Sequence, residues 1–230
     1  MRFSFSPSRQ QVLDQLGDQL VIRIRPASVS ERGNGRYPVT GHLPRLLGIT
    51  PQLKTRLFKV AKRSEPFILP SVFCKQSKPI AELKKYIFLK DLLAHDMQPD
   101  QSLWYQSLCR TLRRQGYACY KKFKFVEARE IEAFLKDYVL GLAKNLQTYG
   151  YDDAKGKDFA RVYVGANGQL IKSCSGEHRF YLSHLLNIDS VPVLIHGVHQ
   201  RWATNNNIQL TSAGLDHFIH CIAQVERAHQ

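Results

Sequence analysis

The sequence predicts an α+β protein, on three observations. Apolar side chains recur at intervals of three and four from about Ala128 to Tyr149, the period of a long amphipathic helix. Residues Arg161 to Ser173 alternate on either side of an Asn-Gly pair, the pattern of an antiparallel hairpin. After a further helical stretch, the run from Val191 to His196 reads as a closing strand.

At 230 residues and 43% hydrophobic, the chain can bury the core of one generous domain or two small ones. That composition excludes a disordered tail or a coiled coil. Its formal charge is +14, with 33 Lys and Arg against 19 Asp and Glu, and this points to a polyanionic partner. The charge is unevenly spread: residues 1–125 hold 23 basic and 8 acidic side chains, residues 126–230 hold 10 and 11. The expected organisation follows that division, a basic, mostly helical N-terminal region over 1–125 and a chemistry-bearing domain over 126–230. Residues 32–64 carry eight Lys or Arg and no acid. Five cysteines without a Cys-x-x-Cys pair read as reduced thiols. No apolar run approaches the roughly 18 residues of a spanning helix, and Met1-Arg2-Phe3-Ser4 does not open a signal peptide. The expected location is cytoplasmic.

In chain order, Pro7-Ser8 opens a short helix to Leu16 that Gly17 ends, and Gln19 to Arg25 alternates as a strand. Pro26 to Gly41 reads as loop. His42 to Lys62 reads as short basic helical pieces broken by Pro44 and Pro51. Leu83, Ile87, Leu92 and Leu93 suit a helix to about His95. Asp100 or Ser102 caps the next helix, with Leu103, Leu108 and Leu112 inward and Arg110, Arg113 and Arg114 in water. Gly116 closes it. Tyr117 to Val126, aromatics between lysines, reads as a half-exposed strand whose lysines protect an edge or contact nucleic acid. After the long helix, Ala166-Asn167-Gly168 makes the hairpin turn, with the positive φ of a type I′ turn assigned to Asn-Gly. Ser212 to Ala228 is the last amphipathic helix.

The densest chemistry lies in Ser175-Gly176-Glu177-His178-Arg179, where a strand gives way to a helix start. Backbone N–H groups at Ser175 and Gly176 and the helix dipole favour an anion there. Arg179 adds a bidentate phosphate ligand, and His178 a donor or proton carrier. Glu177 is the expected base or metal-orienting carboxylate; a carboxylate at a helix start is also simply stabilised by the dipole.

Gly176-Glu177-His178-Arg179, the following helix and Val191-Pro192-Val193 resemble the core of the ParB/sulfiredoxin-like superfamily. Leu142-Ala-Lys-Asn-Leu-Gln-Thr-Tyr-Gly150 is similar to the helix that precedes that core, so the resemblance covers about residues 126–202. It implies a ParB/sulfiredoxin-like core with a small mixed sheet flanked by helices, and nucleotide phosphates near Ser175, Gly176, His178 and Arg179. Glu177 and Arg179 match the Gly-Glu-Arg-Arg of the CTP-dependent partition proteins, while His178 stands at an Arg position. Sulfiredoxins carry their catalytic Cys where this chain has Glu177, and Cys174 lies three residues early, which excludes that chemistry. Superfamily kinases use carboxylates near this helix.

Several further residues have ordinary structural roles as alternatives to a place in the site. His199 and Arg201 follow the closing strand and are expected at the same phosphates, with Trp202 stacking on a base or anchoring the last helix. His196 and His199, and His217 and His220, are spaced three apart, yet no acidic or cysteine partner lies at a matching interval, so no metal site is assigned. The expected function is a nucleotide-dependent phosphotransferase, kinase-like, or a nucleotide hydrolase. It uses ATP, ADP or CTP with Mg²⁺ on a small or glycan-linked hydroxyl. The alternatives are a nucleotide-gated DNA- or RNA-binding protein using the basic N-terminal half, and a nucleotide-binding regulator without turnover. An anionic surface or nucleic acid is the expected partner of residues 32–124.

Overall fold

A computed structural model of the chain describes residues 7–33, 51–73, 77–151, 159–173 and 175–230. Ser8 caps α1 (Arg9–Leu16) in a reciprocal capping box with Gln11, and Gly17, at φ 48°, takes the backbone out of it. β1 (Val21–Ile24) follows as expected. The segment read as loop contains β2 (Glu31–Gly33), while residues 34–41 of it lie outside the described residues, as do 42–50. Pro51 begins α2 (Pro51–Arg63) rather than breaking it, because the first helical turn needs no N–H from proline. Two short strands, β3 (Ile68–Leu69) and β4 (Ser77–Pro79), precede α3 (Lys84–Ala94).

Ser102 is the cap of α4 (Leu103–Gln115), accepting from Tyr105 N at 3.3 Å, and Gly116 closes the helix at φ 74°. Trp104, Leu108 and Cys109 form its buried face, and Leu103 turns out to be exposed. The expected strand Tyr117–Val126 is instead a tight hairpin, β5 (Ala118–Tyr120) and β6 (Phe123–Phe125), with Lys121 at φ 52° in the turn. Adjacent Lys121 and Lys122 are better solvated at a turn than in one straight strand.

The long helix forms over its predicted span as α5 (Ala128–Ala133), a π-helical stretch Phe134–Leu140 and α6 (Gly141–Tyr149). β7 (Ala160–Val164) and β8 (Leu170–Lys172) make the expected hairpin. Its turn has positive φ only at Gly168, and Gly168 N donates to Gly165 O at 3.2 Å, so the loop is a three-residue turn with a left-handed glycine rather than type I′. Then come α7 (Glu177–Leu185), β9 (Val191–His199), α8 (Gln200–Asn205) and α9 (Leu215–Ala228). β9 runs three residues beyond His196.

The main sheet is mixed, ordered β1-β9-β7-β8-β2-β4, with β3 adding to β9 beyond β1. β7 and β9 are parallel, β1 antiparallel to β9, and β2 parallel to β8. The N-terminal half therefore does more than pack on the sheet: it supplies β1, β2, β3 and β4. The division at residue 125 marks a change of charge and no break in the sheet. One core draws on both halves, from Val12, Ile22 and Leu89 to Leu135, Phe180 and Val193. Each of these leaves water on folding, stabilising by roughly 1.5–3 kcal/mol before entropy is set against it. Among the described residues no helix is long and apolar enough to cross a membrane.

Candidate functional site

Gly176 begins the site and fixes its shape. It sits at φ 64°, ψ 28°, a left-handed conformation that only glycine adopts without strain. A Cβ there would lie 2.7 Å from Ala160 Cα and 2.8 Å from Ala160 N. The start of α7 is thus pressed directly against the first residue of β7. No side chain caps α7, so its first-turn N–H groups keep their capacity for an anion.

Around this helix start lies a cavity of about 470 Å³. Gly176, Glu177, His178 and Arg179 form one wall, and Asp137, Tyr138, Leu142, Asn145 and Tyr151 of the long helix and its continuation form another, with Lys121 reaching in from the β5–β6 turn. The Arg179 guanidinium lies over the Tyr151 ring, 5.7 Å from its centroid. Among the described residues Arg179 and Lys121 pair with no carboxylate. Asp137 and Tyr138 come from the π-helical stretch, a geometry that re-aims side chains within a helix.

Glu177 faces a different task from the one its position suggests. Lys85 Nζ of α3 donates to its Oε2, and Arg32 of β2 lies 3.0 Å from its Oε1. Burial alone would raise this carboxyl, but the Lys85 hydrogen bond and charge, then Arg32 and Lys172, hold it below the usual carboxylate range. A carboxylate so held is a poor proton acceptor. It ties two elements of the basic N-terminal half to the start of α7.

His178 is buried, with Trp104, Tyr120 and Tyr138 around it. Burial, then the charges of Lys121 and Lys85, pushes its imidazole down to about 4. Burial likewise raises the Tyr120 phenol above its usual value. Tyr120 therefore stays protonated and shares a hydrogen bond with Nε2 of a neutral His178. His178 is a wall of the cavity and a partner of Tyr120, with no imidazolium charge to offer a phosphate at neutral pH.

Lys172, which the alternation of its strand does not single out, is fully buried. Its ammonium donates to Ser173 O at 2.5 Å and to Ser175 O, and lies over the Phe180 ring. It gathers the carbonyls that precede Gly176 and so sets the approach to α7. The Ser175 carbonyl is consumed in this way. The folded arrangement alone reveals this role, since in sequence Lys172 simply belongs to an alternating strand.

The remaining predicted site residues lie elsewhere. Gly176 meets Ala160 at one end of β7, whereas Val164, four residues on and about 13 Å away at strand rise, is level with Val198. His199 and Arg201 lie beyond Val198, at the hairpin end of the sheet. His199 Nδ1 accepts from Arg201 N at 2.9 Å and caps α8. Trp202 packs under Gly168, whose Cβ would lie 3.7 Å from Trp202 Nε1, and so anchors α8 to the hairpin. Among the described residues no three His, Cys, Asp or Glu side chains are grouped to hold a metal ion.

No protein-family model, curated protein or solved structure matches this chain.

Proposed function

We propose that the chain is a nucleotide-binding protein of the ParB/sulfiredoxin-like type that seats nucleotide phosphates at the start of α7 and transfers a phosphoryl group to a small or glycan-linked hydroxyl. The observation that carries this reading is the uncapped α7 start, opening with left-handed Gly176 into a cavity flanked by Arg179 and Lys121. Backbone donors and two cations without carboxylate partners suit a di- or triphosphate. The Tyr138 ring in the same cavity offers a face for a base, and Asp137 and Asn145 offer polar contacts to a sugar. The volume of about 470 Å³ lies within the range of small-molecule sites, roughly 300–1,000 Å³.

In this reading the roles within the motif shift. Asp137 is the cavity carboxylate that no described cation engages, and it takes the acceptor's proton. Glu177, neutralised by Lys85 and Arg32, supports the helix start. A Mg²⁺ ion keeps several waters and binds largely through substrate phosphates, so it would enter with the nucleotide and neutralise phosphate charge, leaving Asp137 for the proton.

Thermal denaturation with ATP, ADP or CTP and Mg²⁺ tests the binding step. Ligand at 100 times its Kd stabilises by about 2.7 kcal/mol, so a bound nucleotide raises Tm by roughly 5–10 °C for a chain of this length. Arg179→Gln removes the rise. No stabilisation by any of the three sinks the reading. If one binds, nucleotide turnover falls in Asp137→Asn and persists in Glu177→Gln.

A second reading, a nucleotide-gated DNA- or RNA-binding protein, is favoured by the Arg32–Glu177–Lys85 bridge. Phosphates arriving at α7 compete with Glu177 for these cations and so act on the basic half. Nucleic-acid binding that responds to nucleotide and falls steeply with salt supports it; a flat salt response removes it.

A further inference from the structure

The basic N-terminal half has a second cavity that the α7 pocket does not use. Along β7, Ala160 faces the start of α7, so Arg161, the next residue, points to the opposite face of the sheet. There Arg161 and His196 meet α1 and α2 around a cavity of about 250 Å³, which Arg9, Lys59 and Arg63 also line. Arg9 and His196 are buried, at 3% and 6% exposure, and Arg161 is half-buried. Arg161 Nη1 lies 3.5 Å from His196 Nε2, and Arg9 Nη2 donates to Pro66 O at 3.5 Å. These contacts orient two guanidiniums at the floor. Lys59 and Arg63, four apart on α2, stand exposed at the rim.

Among the described residues no acid lines this cavity, and Arg161, Lys59 and Arg63 pair with no carboxylate. The exposed Asp14 accepts from the lining Gln10 at 2.7 Å, and Glu65 bonds Arg9 N through its carbonyl and is itself fully buried. Even if Glu65 offsets Arg9, three formal positive charges face the cavity. Clustered like charges repel unless an anion joins them, and guanidinium forks match phosphate oxygens in particular.

The size and depth narrow the ligand. The cavity is smaller than the roughly 300 Å³ at which sites begin to bury a nucleoside-sized molecule, so what enters is one or two phosphoryl groups. The floor is buried, so a phosphodiester held within a duplex backbone cannot reach it, whereas a terminal phosphoryl group can. We infer that the cavity between α1, α2 and the β7–β9 face is a second phosphoanion site, specific for terminal phosphoryl groups and independent of the pocket at α7.

The test is calorimetric titration of the full chain with inorganic pyrophosphate at low salt, without Mg²⁺. The wild type binds; Arg161→Gln weakens binding about tenfold or more, the loss expected for a charged hydrogen-bonding partner; Arg179→Gln leaves this binding in place. Lys59→Gln/Arg63→Gln, on exposed positions that do not endanger folding, lowers affinity and flattens its salt dependence, which keeps the test decisive should Arg161→Gln unfold. No pyrophosphate binding, or binding lost in Arg179→Gln and unchanged in Arg161→Gln and the double variant, overturns the proposal. Matched single-stranded oligonucleotides with 5′-phosphate and 5′-hydroxyl ends separate the sources. An Arg161-dependent preference for the phosphorylated end identifies a nucleic-acid terminus, and pyrophosphate binding without that preference identifies a free oligophosphate.

Discussion

Replacing Gly176 by alanine probes the joint between α7 and β7 on which the candidate site rests. Two costs add. An L-residue held at φ 64° is strained by about 1–2 kcal/mol relative to glycine. The new Cβ would also sit 2.7–2.8 Å from the Cα and N of Ala160, and backbone in the middle of a sheet cannot yield as a flexible side chain can. Forcing a methyl group into such a place costs about 1–3 kcal/mol. The sum, about 2–5 kcal/mol, lowers Tm by roughly 4–20 °C in a chain of this length. Gly116→Ala is the matched control: its φ is 74°, but nothing lies within 4 Å of its Cβ. It pays the backbone cost alone, about 1–2 kcal/mol. Thermal and guanidinium denaturation of both variants measures the difference directly. If Gly176→Ala proves no less stable than Gly116→Ala, the close approach of α7 to Ala160 is refuted, and the shape of the phosphate cradle with it.

Four further outcomes follow from the same region. Lys172→Met leaves the Ser173 and Ser175 carbonyls without their buried donor and destabilises by about 2–4 kcal/mol, read by denaturation; an unchanged midpoint would show that Lys172 does not organise this turn. The His178 imidazole stays neutral at pH 6, since its folded pKa is pushed from 6.5 down to about 4, and an NMR titration of the ring near 6.5 contradicts that. Because the folded pKa values of His178 and Glu177 both lie below their ordinary values, the unfolded chain binds more protons in acid. Stability is therefore full above about pH 6.5 and declines as pH falls toward 4, by up to about 3 kcal/mol from His178, with the Glu177 contribution lost below its ordinary 4.5. Lys85→Met removes the main partner of a largely buried carboxylate and costs about 1–3 kcal/mol at neutral pH after allowance for the partly exposed lysine, and it flattens that acid decline, because the folded Glu177 pKa rises toward or past its unfolded value.

Much of the architecture was legible because it is local. The helix start at Pro7-Ser8, the stop at Gly116 and the three-four repeat of Ile131, Leu135, Leu142 and Leu146 each act within a few residues of where they are written. The Gly176–Arg179 segment was likewise readable as a helix start with anion-binding capacity. What escaped is what the tertiary structure decides. β2 and β4 are three residues each and mostly polar, Glu31-Arg32-Gly33 and Ser77-Lys78-Pro79, so no alternation marks them; they are strands because β8 and one another pair with them. The same pairing brings Arg32 to Glu177, and no spacing in the sequence announces an ion pair 145 residues apart. His199 and Arg201 follow the closing strand in sequence as the motif residues precede it, but a strand carries its two ends apart. Lys121 reads as one of several lysines in a basic strand and becomes a cavity residue only because the chain reverses there.

The sheet order also constrains the time at which this protein becomes a protein. Val21 pairs with Leu194, Glu31 with Ile171 and Ile68 with Val198, so the N-terminal half waits through 130 to 173 further residues for these partners of β1, β2 and β3. Emerging at about 5–20 residues per second, it spends on the order of ten seconds with those strand edges open and its surplus positive charge uncompensated by Glu177. Such long-range pairing also slows refolding in vitro. A fragment ending before β7 would keep α3 and α4 but have no sheet to close, and its basic residues would meet whatever anions the surroundings supply.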